Sequence, residues 1–188
     1  PQSELRPLSR LVTLQRGVDL PFDDRREGPY PVVTTGGIVG THDRSIAAGP
    51  GVIIRRYGSA SKSAANQNVY WLESDYWPHN TTLYVKDFKG NRAKYIYYLL
   101  RTYPYDRLHA RSAIPGVNRN DMKGDAMPWM PPEQQDACVA HCDTLVSETR
   151  RASRFLTQAI ELLTERRVDL ITAAVTGQFD VTTARAVA

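Results

Sequence analysis

The stretch Pro131–Gly177, "PPEQQDACVAHCDTLVSETRRASRFLTQAIELLTERRVDLITAAVTG", decides the architecture. From Glu133 to Thr176 it holds neither proline nor glycine, the two strongest helix breakers. Proline at the start and glycine past the end is the asymmetry expected of one uninterrupted helix. Such a helix would run about 66 Å at about 1.5 Å per residue, far longer than an ordinary globular helix.

Its apolar spacing says what it needs. Cys138, Cys142, Leu145, Thr149, Ala152, Leu156, Ala159, Leu163, Leu170 and Ala173 follow alternating steps of four and three. Arg166 is the one charged residue on this seam, and Val139, Val146, Ile160 and Ala174 widen it along one side. A heptad seam asks for a partner helix, and its small residues let helix axes approach closely. The chain contains no second long helix, so the expected partner is another chain or another part of a longer protein. Folding back onto its own globule is the weaker alternative, because so small a domain cannot cover so long a stripe.

Outward from the helix the character changes. Residues 1–130 are punctuated by proline and glycine, with short β-branched and aromatic runs at Leu11–Leu14, Tyr30–Val33, Val52–Ile54, Val69–Leu72 and Leu83–Val85. These predict strands. "NRAKYIYYLLRTY" (91–103) instead places Tyr95, Ile96, Leu99 and Leu100 on one helical face, with Asn91 as the expected N-cap. The predicted fold class is therefore α+β. A mostly-β globular domain (1–130) is followed by one long α-helix (131–178) forming an intermolecular coiled coil, and by a short tail (179–188).

Composition narrows the function. The 188 residues carry a net charge of +4, unevenly placed: residues 1–130 hold 18 basic against 12 acidic residues, and residues 131–188 hold 6 against 8. A basic globule points weakly to a polyanionic partner. There is no membrane-length apolar run and no signal-peptide pattern, which predicts a cytoplasmic protein with no membrane partner. The only cysteines, Cys138 and Cys142, are four apart, as two free thiols on one helix face and not as a secreted disulfide framework.

Catalytic motifs fail one by one. "CVAHC" (138–142) superficially offers metal ligands, but structural zinc takes four, and both cysteines occupy seam positions. "GGIVG" (36–40) lacks the spacing, lysine and following helix of a phosphate-binding loop. His42 and Asp43 have no nucleophile signature nearby. No catalytic residue and no metal site is expected.

What remains is a set of loops furnished for recognition. "TTGGIVGTHDRS" (34–45) carries His42 and Arg44. "RRYGSASKSAANQN" (55–68) leaves a strand with two arginines and an aromatic. "DYWPHNTTLYV" (75–85) offers His79 and Asn80 behind a stiff Trp77-Pro78 pair, and "HARSAIPGVNRND" (109–121) surrounds a Pro-Gly turn. Read alone, the third stretch could be a metal site at His79 or a glycan acceptor at Asn80, and the expected reducing compartment removes the second. Arginine, asparagine, serine and histidine are the groups that contact phosphates and base edges.

The order of these segments resembles the DNA-specificity (S) subunits of type I restriction–modification systems. "LSRLVTLQRG", "GPYPVVTTGGIVGTHD", "GVIIRRYGSASK", "DYWPHNTTLYV", "LLRT" and "SAIPGVNRNDM" are similar to one target recognition domain. "MPPEQQ" and "LLTERRVDLITAAVTGQFDV" are similar to the entry and finish of one conserved helix.

The resemblance implies a protein without catalysis of its own. It would read one half of a bipartite target on double-stranded DNA and work in phage defence. A methyltransferase (M) subunit, using S-adenosylmethionine, would dock beside it, and a restriction (R) subunit would add ATP- and Mg-dependent cleavage, so the chain itself needs no cofactor. It further implies a DNA-facing set of Arg55, Arg56, Tyr57, Ser59, Lys62, His79, Asn80, Arg111, Ser112, Asn118 and Arg119. The helix seam of Cys142, Leu145, Ala152, Leu156, Ala159, Leu163 and Leu170 becomes the spacer.

The chain departs from the pattern in having one recognition domain and one helix where a complete member has two of each. It has Ser61 where glycine is expected. A half-subunit forming a homodimer through the helix is the favoured expectation, with half of a longer protein the other. Trp71 and Trp77 are expected in packing more than in base stacking. A coiled-coil adaptor with a degenerate recognition domain stays open as the alternative.

Overall fold

A computed structural model describes residues 4–56, 68–109 and 116–178. The strands are β1 (Glu4–Pro7), β2 (Thr13–Arg16), β3 (Tyr30–Thr34), β4 (Gly37–His42), β5 (Gly51–Arg55), β6 (Val69–Leu72), β7 (Trp77–Pro78), β8 (Thr82–Asp87) and β9 (Ala126–Trp129). The helices are α1 (Leu8–Leu11), α2 (Ala93–Arg101), α3 (Asp106–His109), α4 (Arg119–Met122) and α5 (Pro132–Val175). The fold is α+β, a β-rich domain followed by one long helix.

Three sheets build the domain. The central one runs β2-β8-β5-β6, all antiparallel; β4-β3-β7 and the pair β1-β9 flank it. Near-continuous apolar runs in β5 and β8 mark strands covered on both faces. Alternate residues divide accordingly: Val52, Ile54, Leu83 and Val85 enter one core with α1, α2 and Met127, while Ile53 and Tyr84 enter a second with Val33 and Tyr76. Gly51 makes room for the second core, since a Cβ there would stand 2.2 Å from the Tyr76 ring.

Two local expectations are corrected. The run Leu11–Leu14 is not all strand: Leu8 and Leu11, three apart, bury one face of α1, and β2 begins at Thr13. Asn91 is not the N-cap of α2, a position taken by Arg92 without a side-chain bond. Asn91 is instead an amide hub. Its Nδ2 donates to the carbonyls of Leu11 and Phe88, and its Oδ1 accepts from Trp129 Nε1 and Gln135 Nε2. Gln135, fully buried, also donates to the Met130 carbonyl and accepts from the Arg92 N–H. Every polar atom of the Gln135 amide is thereby engaged, as burial demands.

The helix spans 44 residues, and Gly177 follows it at φ 75°. Cα packing divides the chain into two compact units, one up to Ala140 and one from His141. Cys138 and Val139, expected on the intermolecular seam, pack against the core of the first unit. The Gln135 anchor draws the first turns of α5 into that core, so the free seam starts later. In the second unit Leu145, Leu156, Leu163 and Leu170 are exposed, as are Ala152 and Ala159, while Cys142 is half-buried. Phe155 and Leu162, which the seam reading passed over, are exposed too and fall at the heptad position before Leu156 and Leu163. No helix among the described residues is long and apolar enough to cross a membrane.

Candidate nucleic-acid interface

The end of β2, the residue after β5, the start of β8 and the entry to α4 bound one cavity of about 380 Å³, lined among the described residues by Gln15, Arg16, Arg56, Leu83, Asn118 and Arg119; the turn 79–81 supplies the carbonyl that two of these arginines bind. Gly17 permits the approach. Its N–H donates to the Thr82 carbonyl, and a Cβ on it would fall 2.2 Å from the carbonyl oxygens of Pro78 and His79. Glycine at this crossing lets two backbones touch where any side chain would hold them apart.

The turn is fixed from several sides. His79 N–H donates to the Val33 carbonyl, Thr82 N–H and Oγ1 both donate to the His79 carbonyl, and Thr35 bonds Thr81 through backbone and side chain. Its two exposed-looking polar side chains share a single acceptor: Asn80 Nδ2 donates 2.8 Å to Asp19 Oδ1, and His79 Nε2 stands 3.1 Å from the same oxygen. The His79 Nδ1 lies 3.2 Å from Thr81 Oγ1, so both ring nitrogens are engaged.

What the turn offers the cavity is a carbonyl. Arg16 Nε and Arg56 Nη1 each donate 3.0 Å to the Asn80 oxygen. Arg56 Nε adds a 3.4 Å bond to the Val117 carbonyl, and its own backbone pairs with Thr81 and Val117. Two guanidinium groups on one oxygen lie roughly 6 Å apart at most, where like charges repel by on the order of 1–3 kcal/mol near a surface. Among the described residues that line the cavity, Arg119 is a third arginine.

The sequence-predicted residues distribute unevenly. Arg56, Asn118 and Arg119 come together at this cavity, with His79 and Asn80 in the turn that organises it. Asn118 Oδ1 caps α4 by accepting from the Asn120 N–H. Arg55 leaves β5 half-buried, its N–H bonded to the Asn68 carbonyl. Tyr57, Ser59, Lys62, Arg111 and Ser112 lie outside the described residues. Arg16 and Asp19 were missed: Arg16 stands in "LSRLVTLQRG", which was read only as a domain start, Asp19 stands in no quoted segment, and their partners are 64 and 61 positions away.

A second cleft, of about 430 Å³, holds Arg26, His42, Asp43 and Arg44, but Asp23 and Asp24 line it as well. Its three aspartates outnumber its two arginines, and His42 is buried, accepting from the Arg26 N–H at Nδ1 with Nε2 3.3 Å from Asp43. Trp77 packs edge-on against His42 and donates to the Val18 carbonyl, and Trp71 packs on Tyr97 and bonds Glu73. Both tryptophans serve packing, as expected. Among the described residues no cluster of three or more His, Cys, Asp or Glu could hold a metal.

No protein-family model matches the sequence and no curated protein matches it. Solved structures do. The S subunit of a type I restriction–modification system from M. genitalium superposes with a TM-score of 0.65 at 12% identity, over 88% of this chain and 44% of that one. A chain from a structure described as the basis of complex assembly and conformational transition of the type I R-M system gives 0.71 at 13%, over 93% and 46%. The HsdS subunit of Thermoanaerobacter tengcongensis gives 0.57 at 16%, over 82% and 40%. The chain spans less than half the length of these structures. At such identities the likeness is one of fold: this chain has the architecture of half a type I restriction–modification specificity subunit, one recognition-type domain and one long helix.

Proposed function

We propose that the chain is a non-catalytic, sequence-specific DNA-binding specificity subunit, or half of one, in a type I restriction–modification or related methyltransferase complex. Its globular domain reads one half of a bipartite duplex target, and a methyltransferase subunit docks beside it and supplies the chemistry. S-adenosylmethionine, ATP and Mg belong to partner subunits.

The observation that carries this reading is the fold shared with specificity subunits, on which Arg16, Arg56 and Arg119 line one cavity. Arginine is the side chain best shaped for bidentate contact with guanine or phosphate. The exposed seam of α5 supports pairing with a second copy, and two-fold pairing gives identical half-sites in inverted order at a fixed spacing.

Selection of bound duplexes from a randomised pool tests the proposal. The expected product is an interrupted inverted repeat. A protein-interaction adaptor would enrich no sequence, and that outcome overturns the reading.

A further inference from the structure

We propose that Arg56 is a positioning residue for DNA reading and not a DNA ligand: its side chain fixes the Asn80 turn and the Val117–Asn118 entry to α4 at one spacing, so that both meet a duplex together. The proposal rests on the DNA-binding reading for its purpose, while the junction itself is a property of the folded domain.

The backbone of Arg56 is placed first. The residue follows β5; its N–H donates to the Thr81 carbonyl, and its own carbonyl accepts from the Val117 N–H at 2.7 Å. One residue thus lies between two segments remote in sequence and pairs with each through the main chain. Its side chain repeats both connections. Nη1 donates 3.0 Å to the Asn80 carbonyl and Nε donates 3.4 Å to the Val117 carbonyl, 24 and 61 positions away. Arginine suits this task because its donors are spread over a rigid planar fork, so two of them serve carbonyls that stand apart. Lysine concentrates its donors on one nitrogen, and methionine has none.

These bonds direct the guanidinium inward. Nε and Nη1 are both engaged with protein oxygens, and the residue is half-buried. A bidentate contact with guanine or phosphate uses two nitrogens of the fork. Any two of the three include Nε or Nη1, so such a contact would compete for a nitrogen already bonded to a carbonyl.

What the junction holds gives it its purpose. The Asn80 carbonyl also accepts from Arg16 Nε, and Asn118, next to Val117, caps α4. The segment 57–67, with Tyr57, Ser59 and Lys62, departs from Arg56 itself, and the segment 110–115, with Arg111 and Ser112, ends just before Gly116 and Val117. Residues expected to face DNA therefore join the described framework at points that Arg56 ties to one another. Base contacts specify only when several are in register at once, whereas attraction to phosphates tolerates slack. Loosening this junction costs specificity first.

The test uses the full chain as wild type, Arg56→Met and Arg56→Lys. Fluorescence anisotropy across salt concentrations reads binding to the duplex that wild type selects from a random pool and to a random-sequence duplex of equal length. Arg56→Met is expected to lower affinity for the selected duplex about 10-fold. The random duplex should keep its affinity within about 2-fold and its slope of log K against log salt. Arg56→Lys should lose specificity as Arg56→Met does, since one ammonium cannot replace two arms of a fork. A role in stability alone would lower the melting temperature but leave the ratio of the two affinities unchanged, because an unfolded chain is lost to both duplexes equally; an unchanged ratio overturns the proposal. A slope lower by about 0.9 in Arg56→Met, restored in Arg56→Lys, makes Arg56 a phosphate ligand and overturns it too. If wild type enriches no sequence, the DNA reading fails by itself, and amide hydrogen exchange at Val117 decides whether Arg56 holds the junction. Protection lowered there in Arg56→Met, with Ile53 in β5 unchanged, supports it, and equal protection overturns it.

Discussion

Replacing Gln135 by leucine should detach the start of the long helix from its domain at a cost set by three hydrogen bonds. The side chain is fully buried and its bonds, each 2.8 Å, run to the Arg92 N–H, the Asn91 Oδ1 and the Met130 carbonyl. Leucine fills a similar volume, so the cavity contribution is small. Asn91 Oδ1 keeps its bond from Trp129 Nε1. The Arg92 N–H and the Met130 carbonyl lose side-chain partners, and a buried unpaired polar group costs about 1–3 kcal/mol. Burying extra apolar atoms returns about 1 kcal/mol. The net expectation is a loss of about 2–4 kcal/mol in urea unfolding of the whole chain. Gln134→Ala, one residue away and exposed, should stay within about 0.5 kcal/mol. A Gln135→Leu protein that loses less than the Gln134→Ala control would refute the idea that this amide network anchors the helix.

Leu156→Glu combined with Leu163→Glu places charges on the exposed seam and should leave a monomer where wild type associates; light scattering reads the mass, and an unchanged wild-type mass for the double variant rules out the seam. Tyr76→Phe should leave stability unchanged or raise it by about 1 kcal/mol, because the buried Tyr76 hydroxyl has no hydrogen-bond partner; a clear loss in thermal denaturation would mean a partner exists. Alkaline pH should destabilise the fold. Burial raises the phenol pKa of Tyr76 and Tyr105, and burial with Asp125 beside it raises that of Tyr103, so the native state holds protons that the unfolded chain releases near its ordinary value of about 10. Their contribution is intact below pH ~10 and is lost as pH climbs above it. Phenolate absorbance of the native protein should therefore show a group of tyrosines silent at pH ~10; full ionisation there, without unfolding, contradicts the packing.

The long helix was legible because its boundaries are written in covalent chemistry, Pro131-Pro132 at its start and Gly177 after it. The strands β3, β5, β6 and β8 were legible for a related reason, since short β-branched runs between turn residues have few other uses. Asn91 was misread because a capping amide and a buried amide hub use the same residue at the same distance from a helix, and only the arrival of Gln135 from 44 positions away decides between them. The cavity was half legible. Arg56, Asn118 and Arg119 stood in loops rich in polar groups, while Arg16 and Asp19 take their meaning from a turn more than sixty residues distant. No local pattern records such a meeting.

The base of the segment 57–67 has a consequence for how a recognition domain changes its target. Arg55 N–H bonds the Asn68 carbonyl, and the register continues inward through Ile54 opposite Val69 and Ile53 opposite Tyr70. The bonds of that ladder are made by backbone groups on either side of the segment, so rewriting the residues between Arg56 and Asn68 removes none of them. The two cores, and the arginines gathered at the Asn80 carbonyl, need not be rebuilt. On the proposed DNA-binding reading, a change of target written between Arg56 and Asn68 would leave the rest of the domain's framework as it stands.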